Sequence, residues 1–308
     1  MKAPTLSRWV GDTDTFFVSY WRRAPFVFTP EGGAFSPFTL ADVDTALESG
    51  YFRTLFLDMW SDGRPVPHAR YSDTRTVGRE VGRGFPDGEK VHALLGEGAS
   101  IILRSVDQWH RPTREVVAAL ADEMGLPVEA FFSVTPAGGS GLPLHRDDSD
   151  VFVIQLAGSK SWRIHEGPAD GHWRVGKVRD DEAQPAVVFE TVLRPGEVMY
   201  VPRGFAHCAT GQEGLSVHLS LGVREVVAAD LAESLRARLT ADVLVAPMPV
   251  TDEAVAATAA TLLARARRRL DELTPDDLVA LAREDRVAMM PAVRTSASLV
   301  EFAARAAL

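Results

Sequence analysis

A single cysteine, Cys208, among 308 residues excludes an intramolecular disulfide and leaves no thiolate set for a metal. A nucleophilic role for it would need an activating base, and no separate candidate is evident, so Cys208 is read as a small buried residue. No apolar run approaches the ~18 residues of a membrane span, and the opening Met1-Lys2-Ala3-Pro4 lacks the apolar stretch of a signal peptide. The expectation is a cytoplasmic protein with no membrane partner, in a compartment where a lone thiol stays reduced. Basic residues are in the minority: 33 Lys and Arg against 42 Asp and Glu leave a formal charge of −9. A nucleic-acid surface wants the opposite field, so no nucleic acid is expected, whereas a cationic peptide or protein is compatible. Internal repeats and low-complexity tracts are absent too. With 46% hydrophobic residues, the chain has material for one large domain and a smaller one.

Of the eight histidines, only His145 has a carboxylate two positions later, in His145-Arg146-Asp147. Two imidazoles and one carboxylate, supplied by this triplet and His207, cover one face of an octahedron and leave the rest open. Non-haem Fe(II) is held that way for oxygen chemistry, because the vacant positions must take a co-substrate and O2 together. A lone H-x-D is a weak signal, but its surroundings strengthen it. Gly138, Gly139, Ser140, Gly141 and Pro143 form a loop before it, and Val151 to Leu156 reads as a buried strand after it. The stretch Pro195 to His207 reads as turn, short apolar strand and Pro/Gly turn ending at the second histidine. Some 60 residues separate Asp147 from His207, too many for a local clip but suited to two strands brought together across a barrel. Asp148 and Asp150 are rival carboxylates. Asp147 is preferred, since strand alternation points residues 145 and 147 to one face, and Asp148 is read as solvated.

The run Leu215 to Val223 alternates, so Ser216, His218 and Ser220 share a face that lines the pocket or looks outward. His218 is read as a neighbour of the metal rather than a fourth ligand, which would close the site to oxygen. Trp109, Trp162 and Trp173 are read as packing residues rather than pocket walls.

The order and spacing of these segments resemble the cupin-like JmjC oxygenases of the ribosomal-oxygenase type. The likeness runs from Ser133-Val134-Thr135-Pro136 through the H-x-D and Asp150 to Arg163, to Pro202-Arg203-Gly204-Phe205-Ala206-His207. Phe16-Phe17, Trp21 and Pro25 look like the family's opening segment, and the resemblance covers roughly 15–223. It implies an α+β protein with a double-stranded β-helix (cupin/JmjC jelly-roll) core, N-terminal α/β elements and a C-terminal helical region. It assigns His145, Asp147 and His207 to Fe(II) as the catalytic set, and Lys160 to the distal carboxylate of 2-oxoglutarate. Ser133, His218 and Ser220 are the further co-substrate contacts, with O2 as the second co-substrate. The activity implied is hydroxylation of an unactivated C–H on an amino-acid side chain in a protein or peptide. The same chemistry on a free amino acid or small natural-product intermediate is one alternative, and a non-catalytic metal-binding cupin is another.

The domain reading is 1–223 for the oxygenase domain, its barrel core at about 131–223, and 224–308 for a helical region. Before the barrel, Thr39 and Asp42 start a helix whose apolar face is Leu40, Val43 and Leu47, with Gly50 ending it. Ile101-Ile102-Leu103 reads as a strand and Thr113 to Met124 as an amphipathic helix. After Val223, a helix begins at Thr251 with the stripe Val255, Ala259, Leu262, Ala266 and Leu270. Arg265, Arg268 and Arg269 form a solvated run near its end, and Thr274-Pro275 starts another helix. In the family this region carries dimerising helices and then a winged-helix-like module. The 85 residues after Val223 are short for both, so a homodimer with a reduced or missing last module is expected.

Overall fold

Alternating apolar and polar residues from Val128 onward build strands with one face inward, and the fold stacks two such sheets. The computed structural model describes residues 5–169, 171, 173–179, 181–240 and 249–291. In chain order the strands are β1 (Phe26–Phe28), β2 (Leu57–Ser61), β3 (Arg64–Pro65), β4 (Ser72–Val77), β5 (Glu80–Pro86), β6 (Ser100–Leu103), β7 (Val128–Thr135), β8 (His145–Arg146), β9 (Ser149–Ala157), β10 (Lys160–His165), β11 (Gly176–Lys177), β12 (Val187–Leu193), β13 (Val198–Val201), β14 (His207–Gly211) and β15 (Ser216–Arg224). The larger sheet runs β1-β13-β9-β15-β7-β6-β2-β3 and the smaller β11-β8-β14-β10-β12, with β4-β5 as a separate hairpin. From β7 to β15 the chain passes back and forth between the two sheets, with β10, β11 and β12 successive in the smaller one, the winding of a double-stranded β-helix. Val151 and Val153 of β9, Trp162 and Ile164 of β10, Leu193 of β12, and Met199 and Val201 of β13 form one buried cluster that joins the sheets.

The N-terminal segment covers the outer face of the larger sheet. Phe16 is fully buried, with ring centroids 5.1 Å from Tyr200, 5.5 Å from Phe152 and 5.9 Å from Trp21. Thr39 and Asp42 form a reciprocal capping box on the helix Leu40–Glu48. Its buried face is Val43, Ala46 and Leu47; Leu40, at the first helical position, stays exposed. The next amphipathic helix spans Arg111–Met124 and starts two residues earlier than read, because Pro112 is tolerated in a first turn, where its missing N–H is unneeded. Trp109 packs against Phe38 and Phe52 at 5.4 and 4.9 Å.

Contacts divide the chain after Arg224: Glu225–Met290, with Gly125–Pro127, cluster separately from the sheets. The helices there are Ala228–Thr240, Asp252–Glu272 and Pro275–Ala288, with Thr251 and Thr274 as N-caps. Arg283 grips Glu225 and Ser234 donates to Asp285. The stripe on Asp252–Glu272 is not a core: Val255 and Leu270 are exposed and the helix buries no residue among those described. Among the described residues this face has no surface that covers it fully. Arg269 is not merely solvated, for its guanidinium donates to the Arg238 carbonyl. Of the helical region read over 224–308, residues 241–248 and 292–308 lie outside the described residues. No helix among the described residues is long and apolar enough to cross a membrane.

Asp150 ties the N-terminal segment to the barrel. It is fully buried and accepts from Tyr200 Oη at 2.6 Å, the Arg203 amide at 3.1 Å and Arg22 Nε at 3.2 Å. Burial pushes its pKa up and those three donors pull it down. Asp150→Ala removes the buried acceptor of Tyr200 Oη and the Arg203 amide, and a loss of about 3 kcal/mol is expected in urea unfolding.

Candidate active site

His145 on β8 lies directly opposite His207, the first residue of β14. Their rings stand 4.3 Å apart. Each Nδ1 sits against the carbonyl two residues earlier, Pro143 O at 2.8 Å and Phe205 O at 3.1 Å, which assigns the Nδ1 proton and leaves an Nε2 lone pair free. Both Nε2 atoms point at the Asp147 carboxylate, 3.6 Å from His145 and 3.5 Å from His207. One ligand atom from each residue lies within 4.8 Å of the others. Burial, followed by the neighbouring His145, holds the His207 pKa down at about 4, so this imidazole is neutral at pH 7. Neutral nitrogen and carboxylate oxygen suit Fe(II).

Strand alternation carries less of this placement than the sequence reading gave it. β8 ends at Arg146, so Asp147 lies on the link to β9. Asp148 is not solvated; it is half-buried and ion-paired with Arg224. Cys208 is likewise not buried. It is half-exposed and lies opposite Arg163 on β10, and partial burial raises its thiol pKa.

Lys160 opens β10 after a turn whose Gly158 has φ +54°, and a Cβ there would stand 2.5 Å from the Leu215 carbonyl. Glycine is therefore required at the turn that delivers the lysine. The Lys160 side chain is buried and donates to Thr135 Oγ1 at 3.0 Å. Burial pushes its pKa down to about 8. Register places the polar candidates beside it on the larger sheet: Ser133 opposite His218, Thr135 opposite Ser216, and Ser220 opposite Phe131. Lys160, Ser133, His218 and Ser220 line the same cavity of about 300 Å³ as His145, Asp147 and His207. His218 and Ser220 thus face the cavity, whereas Ser216 is not among its walls and accepts from Gln155 Nε2 at 3.0 Å.

The sequence reading missed several walls of this cavity. Trp162 is one of them, with its ring 6.0 Å from His207 and 5.7 Å from His218. Ser100, Glu129, Thr135 and Arg224 are others. Thr135 was within reach, being two residues from Ser133 on the same strand face; Ser100 has no local signal. Ser100 Oγ, Trp162 Nε1 and His218 Nδ1 are buried without a hydrogen-bond partner. Three orphaned polar atoms beside a buried ammonium describe a chamber built for a polar, anionic guest.

Residues 108–231 match the JmjC domain family. That stretch spans β7 to β15 and carries the whole 2-His-1-carboxylate face, so the site lies within the part of the chain that is similar to a JmjC domain. Over 223 residues it is 30% identical to ribosomal oxygenase 2 of Bos taurus, covering 68% of this chain and 45% of that protein. Over 159 residues it is 35% identical to the bifunctional lysine-specific demethylase and histidyl-hydroxylase NO66 of Drosophila simulans, covering 50% of this chain and 18% of that one. The chain thus spans less than half the length of these relatives. Its fold is similar to that of YcfD, a ribosomal oxygenase from Escherichia coli solved with cobalt and 2-oxoglutarate: the TM-score is 0.55 at 22% identity, over 86% of this chain and 68% of that one.

The Lys160 ammonium has a pKa lowered from 10.5 to about 8. Its desolvation cost is full below about pH 8 and absent above pH 10.5, so the associated stability is lost as pH falls through that window. Without co-substrate, Lys160→Met is expected to exceed wild type by about 3 kcal/mol at pH 7. The difference should fade towards pH 10.5 in denaturant titrations.

Proposed function

We propose that this protein is an Fe(II)- and 2-oxoglutarate-dependent oxygenase that hydroxylates an unactivated C–H of an amino-acid side chain in a protein or peptide. The observation that carries this reading is one cavity holding both the open His145, Asp147, His207 face and a buried lysine. In this reading His145, Asp147 and His207 hold the metal, and Lys160 holds the distal carboxylate of 2-oxoglutarate. Ser133, His218 and Ser220 supply further hydrogen bonds to the co-substrate. Bound Fe(II) supplies the redox chemistry by which O2 reacts with 2-oxoglutarate, giving succinate, CO2 and a hydroxylated substrate. The chain's own work is placement. The Nδ1 contacts of both histidines fix their rings, Lys160 sets the depth at which the dicarboxylate rests, and Trp162 with the valines of β9 excludes water from the inner chamber.

The oxygenase domain is assigned to 1–223 and a helical region to 224–308. The exposure of Val255 and Leu270 on the helix Asp252–Glu272 supports a homodimer, and the acidic net charge supports a cationic peptide substrate over nucleic acid. Cytoplasmic residence accords with the lone cysteine. Replacing Val255 and Leu270 together by Glu should yield a monomer in sedimentation at concentrations where wild type is dimeric.

Anaerobic Fe(II) titration with 2-oxoglutarate tests the chemistry. The wild type should develop the weak visible charge-transfer band of keto-acid chelation, and His145→Ala should lose it. Lys160→Ala should need roughly 10- to 100-fold more 2-oxoglutarate, the weight of one charge-assisted contact. Absence of the band in folded, iron-loaded wild type would favour a metal-binding cupin without this chemistry. Succinate release coupled only to free amino acids, in a panel that includes peptides, would overturn the peptide substrate.

A further inference from the structure

Two carboxylates follow Arg146 in succession, and only one of them faces the histidines. The Cα atoms of Asp147 and Asp148 are about 3.8 Å apart across a trans peptide, and both residues line the same cavity. Asp147 meets the two imidazoles. Asp148 is held by Arg224, which donates from Nη1 to Asp148 Oδ2 and from Nε and Nη2 to Glu129 Oε1. Glu129 belongs to β7, Arg224 ends β15, and Asp148 sits on the link between β8 and β9. One guanidinium therefore spans three segments of the cavity wall, a reach that its fork of fixed donors allows and a lysine point charge does not.

A divalent cation attracts any carboxylate within reach. A second carboxylate would tighten metal binding but fill a position that an oxygenase must keep open, since a chelating keto acid needs two positions and O2 a third. We propose that Arg224 is a positioning residue that keeps Asp148 off the metal, so that Asp147 alone supplies the carboxylate. Glu129 anchors the other side of the guanidinium and prevents it from following Asp148 towards the cation. This rests on the metal-centre reading above.

The test uses the full chain, Co(II) as the probe metal, and 2-oxoglutarate added to the Co(II)-loaded protein, with both affinities followed by calorimetry. Arg224→Met should bind Co(II) at least as tightly as wild type, while its affinity for 2-oxoglutarate falls about tenfold. Arg224→Met with Asp148→Asn should regain the wild-type affinity for 2-oxoglutarate. A purely structural role for Arg224 would weaken both affinities, and removing Asp148 as well would not restore them; that result overturns the proposal. Asp148→Asn alone, with Arg224 intact, covers the case in which Arg224→Met does not fold. Unchanged Co(II) and 2-oxoglutarate affinities are expected there, and loss of Co(II) binding would make Asp148 a ligand and sink the idea. If wild type and His145→Ala take up Co(II) equally, the metal-centre reading itself fails, independently of Arg224.

Discussion

The pairing of β14 with β8 rests on one register position, His207 opposite His145, and the metal-facing geometry depends on it. A slip of one residue along β14 would turn the second imidazole to the other face of the sheet and present Cys208 instead. That register is held from the other side. β14 pairs with β10 over five residues, from Lys160 opposite Gly211 to Ile164 opposite His207, and Gly211 is pressed so close to the Pro136 carbonyl that a Cβ would lie 2.2 Å from it. The ladder that fixes His207 therefore fixes Lys160 as well. Its four-residue span is about 13 Å of strand, so a dicarboxylate bound between metal and ammonium is measured against a rigid sheet and not a loop.

Three aspartates within four positions show how environment divides labour among like groups. Asp147 faces two imidazole nitrogens, Asp148 is ion-paired with Arg224, and Asp150 is sealed beneath Tyr200 with donors on both oxygens. Only the first is left with an open direction. Lys160 is the counterpart: an ammonium with three donors and one hydroxyl partner among the described residues. Its desolvation is offset only when an anion enters. The same burial makes the chamber discriminate between a dicarboxylate and a monocarboxylate of similar shape.

Local signals in the sequence reached the elements and part of the site. Val151 to Leu156 marked the strand Ser149–Ala157, and Thr39 with Asp42 and Thr274 with Pro275 marked helix starts that are capping boxes. His145 and Asp147 were legible because they lie two residues apart beside a strong strand, though the link after β8 positions Asp147 rather than strand geometry. Lys160 rested on family resemblance, since a lysine after a turn is ordinarily solvated. What escaped was long-range. Ser100 reaches the chamber through the pairing of β6 with β7, and the partner of Asp148 lies 76 residues away. The stripe on Asp252–Glu272 had the right period, but periodicity reports that a face wants covering and not which surface covers it.

The two histidines reach their metal-facing form by the same local device. In each, a carbonyl two residues upstream accepts a hydrogen bond from Nδ1–H, so the tautomer is written into a short turn and does not wait for the metal. Burial then keeps His207 unprotonated at pH 7. Two Nε2 atoms and a carboxylate are thus directed into one small space, an arrangement that costs stability. A cation at that point relieves it, and because the unfolded chain offers no such cluster, the relief appears in full as folding free energy. The open metal face and the buried lysine are thus alike: each is a site where the fold carries an unfavourable arrangement that only its proper guest reverses.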